Sequence, residues 1–405
     1  MHYFRLLASG ETFANTLSNE LESLGLRLGI PDHLCFRVAT LAEYQSLKAM
    51  LLARATLLTE AEVNGRPICT FRLPNEGFQT RKGPVEILEL PAPKPGVAYP
   101  TGFEHAEYVI SETFEEFQRT YPHLGFAAKT PQPLNSELVL ETRVGNVKFH
   151  HSSLERVIEI EEAPLTDLVF DFDGTLIDSR REIYRINAEI FTELCERPVT
   201  LAESEERFAS EFAKLFVNFD VSCEHKKLHG VKMWSELALS ARFDFFPGTI
   251  ELLHSLKEMG FRLHIWTARD STSTARILKR NGLDPLFDTI SCSSGIEAKP
   301  SVAGVSLDWR NARPHSLLMI GDSPTDIHGA RNIGAIAAAA LWDLHACERQ
   351  LTREGAELFF RKPEELVNWL VQNGKVIDKQ WGPPDLASRT AAASSGTTFS
   401  NPARL

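Results

Sequence analysis

The segment Leu168-Val169-Phe170, running into Asp171-Phe172-Asp173-Gly174-Thr175, constrains this 405-residue chain more than any other. A short apolar run that ends in a glycine turn reads as a buried parallel strand emptying into a loop. Three further pieces follow in order. Arg262-Leu263-His264-Ile265-Trp266 ends in Thr267, and Lys299-Pro300 lies in a loop beyond Gly295. Leu317-Leu318-Met319-Ile320 ends in Gly321-Asp322-Ser323-Pro324-Thr325-Asp326. Strand-like runs that deliver polar residues at their carboxyl ends are how an open α/β sheet gathers a ligand. Over residues 165–375 such runs alternate with amphipathic segments, the pattern of repeated βαβ units.

The residue types fit one chemistry. A phosphate monoester is a dianion, so an attacking carboxylate meets like-charge repulsion. A divalent cation held by several carboxylates cancels that repulsion and aligns the reactants. Mg²⁺ takes oxygen ligands, which suits Asp171, Asp322 and a backbone carbonyl. A hydroxyl such as Thr267 and an ammonium such as Lys299 bind equatorial oxygens as charge spreads onto them. Asp173, two residues beyond Asp171, lies on the same side of an extended segment, where it can protonate a leaving alcohol and later deprotonate water. Any one of these residues alone would read as a cap or turn residue. The ordered set carries the functional reading.

This half resembles the haloacid dehalogenase superfamily, with all four of its motifs in order. The resemblance implies an α/β Rossmann-like core with a helical cap. It also implies Asp171 as a nucleophile forming an aspartyl-phosphate, with Asp173 as general acid/base. Thr267 and Lys299 become phosphate ligands. Mg²⁺ is held by Asp171, the Asp173 carbonyl and Asp322, with Asp326 supporting that shell or orienting Lys299. An acidic second Asp is the phosphatase and mutase version and disfavours dehalogenation. Asp178 and Ser323 read as a helix-start carboxylate and a turn hydroxyl. The cap falls at 180–245, where Ile183, Ile186, Ile190 and Leu194, then Phe208, Phe212, Leu215 and Phe219, recur at helical spacing. Within it the basic stretch Glu224–Lys232, interrupted by Gly230, reads as a solvated surface loop, with contact to an anionic substrate as the alternative.

Residues 1–160 are strand-rich with short helices. Asp32–Val38 alternates like a strand, Asn64-Gly65 is a hairpin signal before Arg66–Phe71, and Val85–Pro91 follows. A second round holds Phe103–Ile110, a helix opened by a Thr113/Glu116 capping box, Leu138–Leu140 and Asn146–His151. Two rounds of this kind make an α+β domain of duplicated βαβββ modules. The stretches NGRPICTF, ILELPAP, GFEHAEYVI and KFHHSS resemble YecM-type proteins of the vicinal-oxygen-chelate fold. There the first and fourth strands of each module face a metal, which implies His33, Glu89, His105 and His150, with Glu141 or His151 as alternatives to the last. Such a set suits Zn²⁺, Ni²⁺, Mn²⁺ or Fe²⁺. Glu86 and Glu107 are expected to face away or to sit behind the ligands.

Composition excludes other classes. With 43 Lys+Arg against 54 Asp+Glu the net charge is −11, which argues against nucleic acid and anionic membranes as partners. No apolar run approaches a membrane span, and the start shows no secretory pattern. The dispersed cysteines read as reduced thiols of a cytoplasmic protein. Residues 376–405, rich in Ser, Thr, Ala and Pro, read as a disordered tail, and its end, Ala403-Arg404-Leu405, loosely matches a peroxisomal address. Glu161–Pro164 reads as a linker. The expectation is a Mg²⁺-dependent phosphatase acting on a small phosphorylated metabolite, fused to a metal-binding module of no assigned reaction. The alternatives are a phosphomutase using the same phosphoenzyme and a non-catalytic scaffold.

Overall fold

The computed structural model describes residues 2–63, 65–75, 77–209, 212–293 and 316–377. Lys299, Asn64 and nearly all of the Ser/Thr/Ala/Pro-rich tail therefore lie outside the described residues.

The first sheet is built twice over. Strand β1 (His33–Arg37), helix α2 (Leu41–Leu52), strands β2 (Thr56–Val63), β3 (Arg66–Arg72) and β6 (Ile87–Pro91) form one βαβββ round. A small hairpin, β4 (Phe78–Thr80) with β5 (Gly83–Val85), interrupts it. The second round is β7 (Gly102–Val109), α3 (Phe114–Thr120), β8 (Phe126–Ala128), β9 (Leu138–Glu141) and β10 (Asn146–His150). The strand order β2-β3-β6-β1-β7-β10-β9-β8 puts the first and fourth strands of both rounds at the centre. Both helices open with reciprocal capping boxes, Thr40/Glu43 and Thr113/Glu116, which satisfy free N–H groups of the first turn.

Strand alternation divides this sheet. Leu34, Phe36, Leu88, Leu90, Ala106, Tyr108, Val147 and Phe149 face a core shared with the helices. That core includes α1 (Tyr3–Ser23), a 21-residue helix where sequence alone gave only short ones. Its buried stripe Leu6, Gly10, Ala14, Leu17 and Leu21 follows helical spacing. His33, Glu89, His105, Glu107 and His150, at the alternate positions of the central strands, are turned to the opposite face.

Helix α4 (Leu154–Glu162) joins the halves. Its Val157 and Ile160, with Ala163 and Leu165 beyond it, pack into the second core. Lys375 Nζ donates to the Glu161 and Ala163 carbonyls at 2.5 Å each, so the segment expected to be a linker is held rather than free.

The second sheet is wholly parallel, in the order β15 (Thr289–Ser293), β14 (Arg262–Asp270), β11 (Asp167–Phe170), β16 (Leu317–Gly321), β17 (Ile336–Ala340) and β18 (Leu358–Phe360). Alternate residues feed two cores. Leu168, Phe170, Leu263 and Ile265 meet α9 (Thr249–Glu258), α10 (Ser271–Arg280) and α13 (Pro363–Gln372). Val169, Trp266, Leu317 and Met319 meet α11 (Pro324–Asn332) and α12 (Glu348–Glu354). Covering both faces is what lets parallel strands be apolar throughout. The cap is helical: α5 (Arg180–Cys195), α6 (Leu201–Glu206), α7 (Phe212–Asn218) and α8 (Glu224–Ser240). Its two crossings meet in the short pair β12 (Ile177–Asp178) and β13 (Asp244–Phe245). Asp178 is thus an exposed strand residue rather than a helix start, and Ser179 takes the position preceding α5.

Candidate functional sites

Strand β11 is central, and its carboxyl end, with those of β14 and β16, forms the first site. The Asp171 N–H donates to the Ile320 carbonyl (2.9 Å), which fixes the loop after β11 against β16. Asp171, Asp322 and Asp326 are buried and each offers an oxygen, all within 4.8 Å of one another. Two glycines permit this approach. A Cβ on Gly174, at φ +83°, would sit 2.4 Å from Asp322 Oδ2, and one on Gly321 would sit 2.3 Å from the Asp326 side chain. Asp322 Oδ2 accepts from Arg180 Nη2 (2.6 Å) and Oδ1 from Thr175 Oγ1 (3.1 Å). Burial pushes the Asp322 carboxyl up to about 6, against the opposing charge of Arg180. Asp326 Oδ2 accepts from Ser323 N (2.9 Å) and Ser323 Oγ (2.7 Å), so Ser323 is the turn hydroxyl that fixes Asp326.

Thr267 is buried, and its Oγ1 accepts from the Arg269 N–H (3.1 Å), leaving the hydroxyl proton to be donated elsewhere. Asp173 is gripped by Arg269 through Nε (2.9 Å) and Nη2 (2.5 Å). Burial would raise the Asp173 pKa, but the guanidinium outweighs it and the net shift is downward. Lys299 lies outside the described residues. Sequence reasoning missed Arg180 and Arg269. Arg269 stands two residues beyond Thr267 and Arg180 at the first position of the cap, places that carry no motif of their own.

These donors suit a hard cation. Three crowded, buried carboxylates repel one another unless positive charge is supplied, and an all-oxygen set matches Mg²⁺.

The second site sits on the open face of the first sheet. The register pairs Glu107 with His33 on one side and Lys148 on the other. It likewise sets His105 beside Cys35, which pairs with Glu89. His33, Glu89, His105 and Glu107 each present a ligand atom within 4.8 Å of the others. Glu107 is the hub. Its Oε2 lies 2.6 Å from His150 Nε2 and 3.5 Å from His33 Nε2. Its Oε1 lies 3.0 Å from His105 Nε2 and 2.8 Å from Lys148 Nζ. Glu107 therefore does not face away: it follows His105 by two residues, and residues i and i+2 of a strand share a face. Glu86, by contrast, is exposed.

Burial disfavours the His33 imidazolium, yet Glu107 and Asp32 outweigh it and raise its pKa to about 9. Burial likewise opposes ionised Glu89, but His105 and His33 bring it down to about 2. Neither His105 Nε2 nor either nitrogen of His150 makes a well-aligned hydrogen bond, although all are buried. The alternatives to His150 do not join in. Glu141 is exposed, and His151 stacks on Phe114 with its Nε2 3.1 Å from the Glu112 carbonyl.

The basic stretch of the cap forms the start of helix α8 rather than a loop. Gly230 misled the reading: it marks close packing, since a Cβ there would lie 2.9 Å from Leu194. Lys226, Lys227 and His229 are paired with Glu196, Glu224 and Glu193.

Among the described residues no helix is long and apolar enough to cross a membrane. Residues 168–340 match the family described as haloacid dehalogenase-like hydrolase, and residues 3–161 match the YecM protein family. A phosphoglycolate phosphatase of Synechococcus elongatus is 24% identical over 217 residues, 51% of this chain and 97% of that protein. A pyrophosphatase PpaX of Listeria monocytogenes is 27% identical over 195 residues, 45% of this chain and 87% of its own length. A solved predicted phosphatase from Clostridium acetobutylicum aligns at TM-score 0.45 and 22% identity, covering 51% of this chain and 99% of its own. The chain thus joins a region that matches the YecM family at its amino end to one that matches the haloacid dehalogenase-like hydrolases.

Proposed function

We propose that the carboxyl-terminal domain (165–375) is a Mg²⁺-dependent phosphatase for a small phosphorylated metabolite, and that the amino-terminal domain (1–160) holds a second divalent metal. The observation that carries the first half is the convergence of Asp171, Asp322 and Asp326 at the ends of β11 and β16, beside Thr267 and Asp173.

In this reading Asp171 attacks phosphorus while the phosphorus–oxygen bond to the leaving alcohol breaks. Asp173 gives that oxygen a proton. The resulting aspartyl-phosphate is hydrolysed by water, whose proton returns to Asp173. Thr267, its oxygen already occupied by the Arg269 N–H, donates its hydroxyl proton to a phosphoryl oxygen, with Lys299 as the expected second phosphate ligand. Asp171, Asp322 and the Asp173 carbonyl would hold Mg²⁺, with Asp326 in support, and the bound ion would offset the repulsion between nucleophile and dianion. The relatives are named for phosphoglycolate and pyrophosphate. In both compounds the group displaced from phosphorus is itself an anion, and that substrate class is the first to test here.

The experiment is a phosphate-release screen over glycolate, sugar and nucleotide esters and pyrophosphate, with Mg²⁺ or with chelator. Release that requires Mg²⁺ and no bisphosphate activator is the expected result. Release unaffected by chelation would overturn the Mg²⁺ assignment, and an absolute need for a bisphosphate would favour a mutase.

For the amino-terminal domain, His33, Glu89, His105, Glu107 and His150 combine imidazole and carboxylate donors, which suits Zn²⁺, Ni²⁺, Mn²⁺ or Fe²⁺ over Mg²⁺. Metal analysis of the full chain should find such an ion, and its loss on His105→Ala would support these ligands.

A further inference from the structure

We propose that Arg269 selects substrates whose leaving group carries an anionic oxygen close to the scissile bond. This rests on the phosphatase reading and names the part of the site that reads the leaving group. The Arg269 side chain is 1% exposed, and its Nε and Nη2 are committed to Asp173. Its third nitrogen, Nη1, is buried and makes no hydrogen bond among the described residues.

A buried donor on a permanent cation is costly to leave unpaired, so such a group marks a place that a ligand completes. The backbone is irregular at this residue. Strand β14 pairs in register with β15 up to Thr267↔Cys292, then resumes only at Asp270↔Ser293, so Ala268 and Arg269 leave the ladder in a bulge. Bulges next to active sites re-aim side chains in this way. Phe243, where the chain returns from the cap, lies beneath the guanidinium, with the ring centroid 4.1 Å from Cζ. The stack and the two bonds to Asp173 together fix the plane of the fork.

The position decides which part of a substrate Nη1 would meet. Asp173 is the group that protonates the departing oxygen, and Nη1 belongs to the rigid fork already in contact with Asp173. The phosphoryl oxygens have other donors, in Thr267 and the expected Lys299. What remains for Nη1 is an acceptor on the leaving group, within a few bonds of the oxygen that departs. A carboxylate or a second phosphate fits a guanidinium, whereas a neutral alcohol leaves the donor unpaired.

The test uses the full chain and its Arg269→Gln and Arg269→Lys variants, with Mg²⁺ present. kcat/KM is compared between anionic leaving groups (2-phosphoglycolate, pyrophosphate) and neutral ones (glycerol 2-phosphate, p-nitrophenyl phosphate). The wild type should prefer the anionic class, and Arg269→Gln should lose at least about tenfold more on that class than on the neutral one. Arg269→Lys keeps the charge without the fork and should recover only part of the preference; should the Gln variant fail to fold, the Lys variant reads the same ratio. Equal losses on both classes would overturn the inference, reducing Arg269 to a residue that positions Asp173 while the phosphatase reading stands. A wild type that hydrolyses none of these esters would overturn both.

Discussion

The chain holds two clusters of buried carboxylates, and they differ in what balances their charge. At the ends of β11 and β16, among the described residues, arginines pair with two of the carboxylates: Arg180 with Asp322 and Arg269 with Asp173. A guanidinium stays charged across the working pH range, so the balance of charge at these carboxylates does not change with pH on the arginine side. On the face of the first sheet, Glu107 and Glu89 are met by imidazoles and by Lys148. Imidazoles change charge with pH, so the charge of this cluster is titratable where that of the arginine pairs is not. The placement differs as well. One site lies where strands end and loops begin, which leaves room for a substrate and a cap. The other lies on the face of four neighbouring strands, where the register sets the donors side by side.

Several changes would break or sharpen that contrast. Asp171→Asn should lower phosphate release by at least about a thousandfold while the melting temperature barely moves, because only the attacking oxygen's charge is removed. Near-normal turnover in that variant would refute the assigned nucleophile. On the other sheet, Glu107→Gln should weaken metal retention by about 10–100-fold, with phosphate release unchanged, as read by metal analysis after dialysis and a parallel activity assay. Full retention would move Glu107 out of the ligand set.

A carboxylate at the opposite end of β11 provides a control for function. Asp167 is fully buried and accepts from His264 Nε2 (2.9 Å), Thr166 Oγ1 (2.6 Å) and Arg262 Nη2 (2.8 Å). Burial opposes its ionisation, yet these bonds win and its pKa is lowered. The sign follows from linkage: with a folded pKa below the unfolded value of about 3.9, its contribution is complete above that value. It is lost as pH falls through the folded pKa. Asp167→Asn should cost about 3–5 kcal/mol at neutral pH and flatten the acid limb of the stability profile, as measured by denaturant unfolding between acid and neutral pH.

The smallest effect concerns packing. Gly10 on α1 leaves no room for a Cβ, which would lie 2.4 Å from Phe78. Gly10→Ala should cost about 1–3 kcal/mol in the first core. A calorimetric scan should lower one transition and leave phosphate release intact if the two cores melt separately.

Sequence pattern placed Asp171 and Asp322 just past two strands that pair in the second sheet, and His33, Glu89 and His105 on three strands that pair in the first. Asp171, Asp173, Thr267 and Asp322 each follow or end an apolar run of the period that marks a buried strand, so their convergence is implied by the fold of a parallel sheet. The duplicated modules were legible in the same way, through alternation and the Thr113/Glu116 box. Glu107 shares the parity of His105, and that phase alone puts the two on one face of β7. Helix α1 and the start of α8 were missed because Gly10 and Gly230 weaken the helical signal locally while tertiary packing requires them.

Alone, the sequence determined where strands end and which carboxylates sit at those ends, because that information is local: a period of two, an apolar run, a glycine turn. Which charges face them is set by contacts distant in the chain. Arg180 lies 142 residues from Asp322 and Arg269 lies 96 residues from Asp173, and no local spacing encodes such pairs. They exist because the cap crossings and the bulge in β14 fold back over β11. The same holds for the open sheet face, where the register between β1, β7 and β10 turns scattered histidines into one cluster around Glu107.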